Sequence, residues 1–87
     1  MKHAREDYNR IQDPAGLIGE DEPVFLLRAK DRTAPATLRY WAAQNRALPD
    51  HDGRAVALAE AHADAMEEWQ SRNGSKTADV PTPPSEP

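Results

Sequence analysis

Between Thr33 and Arg72 the chain is dense in alanine and other helix formers and is broken only once, at Pro49-Asp50-His51-Asp52. This pattern constrains the fold more than any other. Thr33 suits an N-cap, Pro35 is tolerated in a first turn, and Ala36 to Ala47 is rich in helix formers. Ala34, Leu38, Trp41, Ala42, Asn45 and Leu48 share one face at helical spacing, with Arg39, Arg46 and Thr37 elsewhere. Asp50 or Asp52 then caps a second helix from about Gly53 to Arg72, closed by Gly74. Its expected inward stripe is Ala55, Leu58, Ala59, His62, Ala65, Met66 and Trp69, close to a 3.6-residue period. So short a connection predicts an antiparallel hairpin. The fold class is therefore mainly α, a C-terminal antiparallel helical hairpin preceded by a short extended or β segment.

That segment is Val24-Phe25-Leu26-Leu27-Arg28. A continuous apolar run bounded by turn signals suits a buried strand, and Pro23 is tolerated at a strand edge. Asp21 as N-cap with Pro23 in a first turn would suit a helix instead. The β-branched and aromatic start favours a strand. Such a strand needs a partner, from Leu17-Ile18, another hairpin strand, or a second copy of the chain. Upstream, Tyr8 and Ile11 fit a short helical turn over Asp7 to Gln12, and Asp13-Pro14-Ala15-Gly16 reads as a type I turn.

Length and composition bound the rest. The 87 residues carry a net charge of −4 and no cysteine, which removes disulfides, thiolate nucleophiles and cysteine-based zinc sites. Residues 75–87, SKTADVPTPPSEP, hold four of the eight prolines and one large apolar side chain, Val80, so they are expected to be a disordered tail. The charged start, MKHARED, is expected to fray. One small domain over residues 1–74 remains, with a core so thin that oligomerisation is expected to supply missing burial. No signal-peptide core and no membrane-length apolar run is present, so a cytoplasmic location is expected. The acidic balance disfavours DNA as a partner.

Chemistry concentrates at one place. Arg28, Lys30 and Arg32 lead directly into the helix start at Thr33, where backbone N–H groups have no intrahelical acceptor. A phosphate there would meet charge, hydroxyl and dipole together. Thr37 lies beside it, Arg39 could clamp a second phosphate, and Tyr40 could stack on a base. The acidic run Glu20-Asp21-Glu22 could instead neutralise these cations. A second surface is the acidic flank of the last helix, Glu60, Asp64, Glu67 and Glu68, fit to meet a basic protein by charge complementarity. Trp41, Trp69 and His62 read as core or interface residues. Asp50-His51-Asp52 has metal-friendly types without the convergence a metal needs, so neither metal nor cofactor is expected. Asn73-Gly74-Ser75 matches a glycosylation sequon but reads as a helix cap.

The stretches YNRIQDPAG, DEPVFLLRAKD and TAPATLRYWA resemble small proteins carried by bacteriophages and prophages of high-GC bacteria. That resemblance implies a counter-defence role, by sequestering a host signalling nucleotide or by blocking a host protein. Two functions follow as expectations, both non-enzymatic. One is a homo-oligomer that binds a phosphorylated nucleotide through Arg28, Lys30, Arg32, Thr33, Thr37, Arg39 and Tyr40. The alternative is an inhibitor or adaptor that engages a host protein through its acidic helix face.

Overall fold

The computed structural model describes the backbone of residues 2–3 and residues 13–80. It is mainly helical, two helices with a short strand before them. Strand β1 is Lys2–His3, strand β2 is Pro23–Val24, helix α1 is Ala34–Arg46 and helix α2 is Gly53–Asn73. The chain divides into two compact units, with the boundary between Leu27 and Arg28 and a return between Asp79 and Val80.

In the first unit, β1 and β2 pair in parallel, Lys2 with Pro23 and His3 with Val24. The expected extended segment is thus present but shorter, since Phe25 to Leu27 carry no strand pairing, and its partner is the chain's own start rather than Leu17-Ile18. Residues 2–3 are therefore paired, in place of the frayed end expected of that charged stretch. The turn at Asp13 forms as read, with the Gly16 N–H donating to the Asp13 carbonyl at 3.0 Å. The Asp13 carboxylate adds acceptors for the Leu17 and Ile18 N–H groups at 3.3 and 2.9 Å. Gly16 itself sits at φ 63°, where a side chain would be strained. The helical turn expected over Asp7 to Gln12 lies outside the described residues.

The second unit is built on the hairpin. Pro35 occupies the first turn of α1, and Pro49 lies just beyond its end. At the start of α2, Asp52 is the cap: its carboxylate accepts from the Arg54 N–H at 2.9 Å. Gly74 closes that helix at φ 80°, its N–H donating to the Gln70 carbonyl at 2.8 Å.

The core is small and alanine-rich: Ala34, Ala42, Val56, Ala63 and Met66 are its buried hydrophobic residues, with Ala34 and Ala63 fully enclosed. It follows the expected stripe of α2 only in part: Met66 is buried, and Ala55, Ala59 and Trp69 are half-buried. Leu58 is 62% exposed, and His62 and Ala65 are exposed, while Val56 and Ala63 are buried in their place. Helix α2 is thus turned by about one residue position, roughly 100°, from the orientation that apolar content alone favours. Two causes act in the same direction. Small side chains let the helix backbones approach closely along Ala34, Ala42 and Ala63. Arg39 and Arg46 of α1 also draw the acidic flank of α2 toward them. Trp41, expected in the core, is 45% exposed on α1, and Leu48 is exposed beyond its end. Trp69 is half-buried.

Residues 75–80 are described and 81–87 are not. Within the stretch expected to be a tail, Lys76 pairs in parallel with Asp31. The Lys76 N–H donates to the Lys30 carbonyl at 2.9 Å, and the Arg32 N–H donates to the Lys76 carbonyl at 2.8 Å. The proline content of this stretch does not forbid two backbone hydrogen bonds immediately after a helix.

Candidate functional site

The loop from Arg28 to Thr33 is held on three sides. The Asp31 N–H closes a turn on the Arg28 carbonyl at 3.0 Å. From α2, the Gln70 amide donates to the carbonyls of Ala29 and Asp31 at 2.8 and 2.9 Å. Lys76 supplies the backbone pairing already described. Lys30 and Arg32 flank Asp31 in this loop, and both are exposed.

The helix start beside them already has an anion. One oxygen of the Asp31 carboxylate accepts from both the Thr33 N–H and the Thr33 hydroxyl, each at 2.9 Å. Thr33 occupies the N-cap position, yet its side chain caps nothing in the helix. Its hydroxyl points back to Asp31, and the Ala34 N–H is taken by the Asp31 carbonyl at 3.0 Å. The Thr37 hydroxyl donates to the Thr33 carbonyl at 2.8 Å. A phosphate entering here would compete with a carboxylate of the chain itself, whose negative charge suits the helix dipole equally well. The signal was readable: Asp two residues before Thr is an Asx-turn pattern, a local alternative to anion binding.

Arg39 is turned away from this loop. Its guanidinium bonds Asp64 at 2.8 Å and also pairs with Glu67, both on α2. The hydrogen bonds from Asp64 and then Glu67 raise the arginine pKa above its ordinary value. Arg46 pairs with Glu60 in the same way, one end of the hairpin removed. Arg72 and Glu68 face each other at 4.0 Å along α2. Arg39, expected as a phosphate clamp, and Asp64 and Glu67 of the expected acidic face are therefore each other's partners; with Arg46 and Glu60 they stitch one flank of the hairpin, while Glu68 faces Arg72 within α2. Tyr40 stays outside these pairs and is 68% exposed. The structure thus brings Lys30, Arg32 and Thr33 together, leaves Thr37 and Tyr40 on the outer side of α1, and assigns Arg39 to the interhelix flank. It adds Gln70 and Lys76, which periodicity and motif reading did not single out.

The opposite flank has a different character. Counted around each helix from the buried positions Ala42 and Ala63, the arginines of α1 and the acids of α2 fall to one side. Trp41 and Leu48 fall to the other, as do Ala55, Leu58, His62, Ala65 and Trp69. In an antiparallel pair these two strips lie on the same side of the hairpin; neither holds an acidic residue, and Arg54 and Arg72 border the α2 strip, one turn before Leu58 and one turn after Trp69. Trp41, Leu48 and Leu58 are all exposed on it.

Among the described residues, no three His, Asp or Glu side chains are placed to hold a metal ion. Near the interhelix connection, the His51 ring nitrogen Nδ1 lies 2.7 Å from the Leu48 carbonyl, a local contact. No described helix is long and apolar enough to cross a membrane. Comparison with known proteins gave no match to a protein family, a curated protein or a solved structure.

Proposed function

We propose that this chain acts without catalysis as a small interaction protein, an adaptor or inhibitor that binds a polypeptide through the acid-free flank of its helical hairpin. The observation that carries this reading is the sorting of side chains. Every interhelix ion pair lies on one flank, and Trp41, Leu48 and Leu58 stand exposed on the other. Large exposed aromatic and aliphatic groups anchor protein interfaces when they cluster away from charge. In the phage setting that the sequence resembles, such a surface suits interference with a host protein. A photoreactive residue at Leu58 tests the reading in the producing cell. It is expected to give a covalent polypeptide adduct there and none when placed at Glu68. Absence of any adduct from position 58 contradicts it.

A second reading, binding of a phosphorylated nucleotide, is favoured by one observation: the pairing of Lys76 beside Lys30 and Arg32 brings a fourth lysine or arginine to the loop that holds Arg28, Lys30 and Arg32. Against it stand Asp31 at the helix start and Asp79, which bonds Lys76 Nζ at 2.8 Å. Titration with a cyclic dinucleotide, followed through the backbone amides of Lys30 to Thr33 and Lys76, separates the two. Saturable shifts confined to those amides would favour the nucleotide; none at millimolar ligand would remove it.

A further inference from the structure

We infer that the occupant of the acid-free flank is a second copy of this chain, so that two hairpins pack face to face into a four-helix bundle; this rests on the reading of that flank as an interaction surface. Four observations point to the same occupant.

The first is charge. The chain carries −4 overall, so two copies repel in most relative orientations. The flank that holds no acidic side chain, with Arg54 and Arg72 at its edge, lets identical molecules meet without setting their carboxylates opposite each other. Arg39 and Arg46 do not need an acidic partner from outside, because Asp64, Glu67 and Glu60 already satisfy them within the hairpin.

The second is area. Helix α2 has 21 residues, so it is about 30 Å long at about 1.5 Å per residue. Two helices side by side present a strip roughly 20 Å wide. With the shorter α1 allowed for, the flank offers roughly 500–600 Å² per copy, about 1,000–1,200 Å² for a pair, which reaches the lower bound for a specific interface. A single peptide helix lying on the same strip would cover only part of it.

The third is shape. A two-fold axis places α1 of one copy over α2 of the other. On this flank α1 presents Trp41, with Leu48 just beyond its end, while α2 presents Leu58, His62 and Trp69 with the small Ala55 and Ala65 among them. The alanines leave gaps between the larger α2 side chains into which Trp41 of the facing copy fits, as interdigitating bundle cores require.

The fourth is the core itself. Three of its five buried hydrophobic residues are alanine, which leaves little apolar area in one hairpin. Small scaffolds of this size gain their missing burial from metals, disulfides or association. The chain has no cysteine, and its described residues hold no metal-ligand group.

The test uses the full chain. Light scattering coupled to size exclusion at about 100 µM is expected to give twice the mass of one chain. Leu58→Asp and Ala65→Glu are expected to give the mass of one chain, with helical far-ultraviolet dichroism retained. Ala65→Glu places a good helix former at an already exposed position, so it separates loss of association from loss of fold. Glu68→Gln, on the other side of α2, is expected to leave the dimer intact. A wild-type protein of single-chain mass overturns the second copy as occupant; if position 58 still crosslinks to a different polypeptide, the interaction surface survives and only its partner changes. A dimer that persists in both Leu58→Asp and Ala65→Glu overturns the proposal, and the association then uses another face.

Discussion

The two flanks of the hairpin are made from the same two helices, yet they follow opposite rules. On one, Arg39 and Arg46 meet Asp64, Glu67 and Glu60, and the charges are satisfied inside the molecule. On the other, Trp41, Leu48 and Leu58 are exposed with no acidic residue among them. A charged surface that has already found its partners offers little to an outside one, because exposed ion pairs are weak and screened by salt. An uncharged apolar surface gains from being covered. The conspicuous charges of this chain therefore mark its internal seam, and its quieter side is where binding is to be sought.

Three substitutions press on that comparison. The largest effect is expected at the seam's centre. Ala63 is fully enclosed, so Ala63→Leu forces the helices apart and should destabilise the fold by about 1–3 kcal/mol, read as a lower midpoint in chemical denaturation. A neutral result there would mean that the helices do not approach as closely as their alanines allow.

The next effect lies at the end of α2. Gln70→Ala strips the donors from the Ala29 and Asp31 carbonyls and should cost about 1–2 kcal/mol. Hydrogen exchange localises it: the Arg32 and Lys76 amides should lose protection, while amides in the middle of α2 keep theirs. Unchanged exchange at Lys76 would show that Gln70 does not hold the loop.

The smallest effect belongs to the charged flank. Arg39→Gln should shift the midpoint least of the three, and the difference should vanish in about 1 M salt. Its pH signature follows from the raised pKa. A cation whose folded pKa is raised contributes fully below its unfolded value and loses that contribution only as pH climbs through the folded one. Titration of Arg39 should therefore add no slope to stability between about pH 6 and 9. A salt-resistant loss as large as that of Ala63→Leu would reverse the ranking of the two flanks.

Much of the hairpin was legible in the residues. Pro35, Pro49, Asp52 and Gly74 act locally, through backbone geometry and single hydrogen bonds, so their positions bound the helices without knowledge of the rest. The buried face of α2 was not legible, because helical periodicity locates an apolar stripe but does not say which part of it a partner covers. Leu58, His62 and Ala65 belong to the stripe; Val56 and Ala63 are buried because α1 approaches through alanines and brings two arginines to the acids beside them. The basic loop was legible only in part. Its cations stand out, and they mask the Asx-turn spacing of Asp31 and Thr33 that is readable in the same stretch. The pairing of Lys76 is non-local, and nothing near it in the chain announces it.

Hydroxyl-radical footprinting of the full chain, wild type against Leu58→Asp, tests the central claim most directly. Trp41 and Tyr40 are neighbours on α1 but leave it in different directions, and both are exposed in the single chain, so Tyr40 serves as the internal standard. The account predicts that Trp41 and Leu48 are oxidised several-fold more slowly, relative to Tyr40, in the wild type than in Leu58→Asp. Equal rates in the two proteins would contradict it, because the acid-free flank would then be open to solvent with nothing bound.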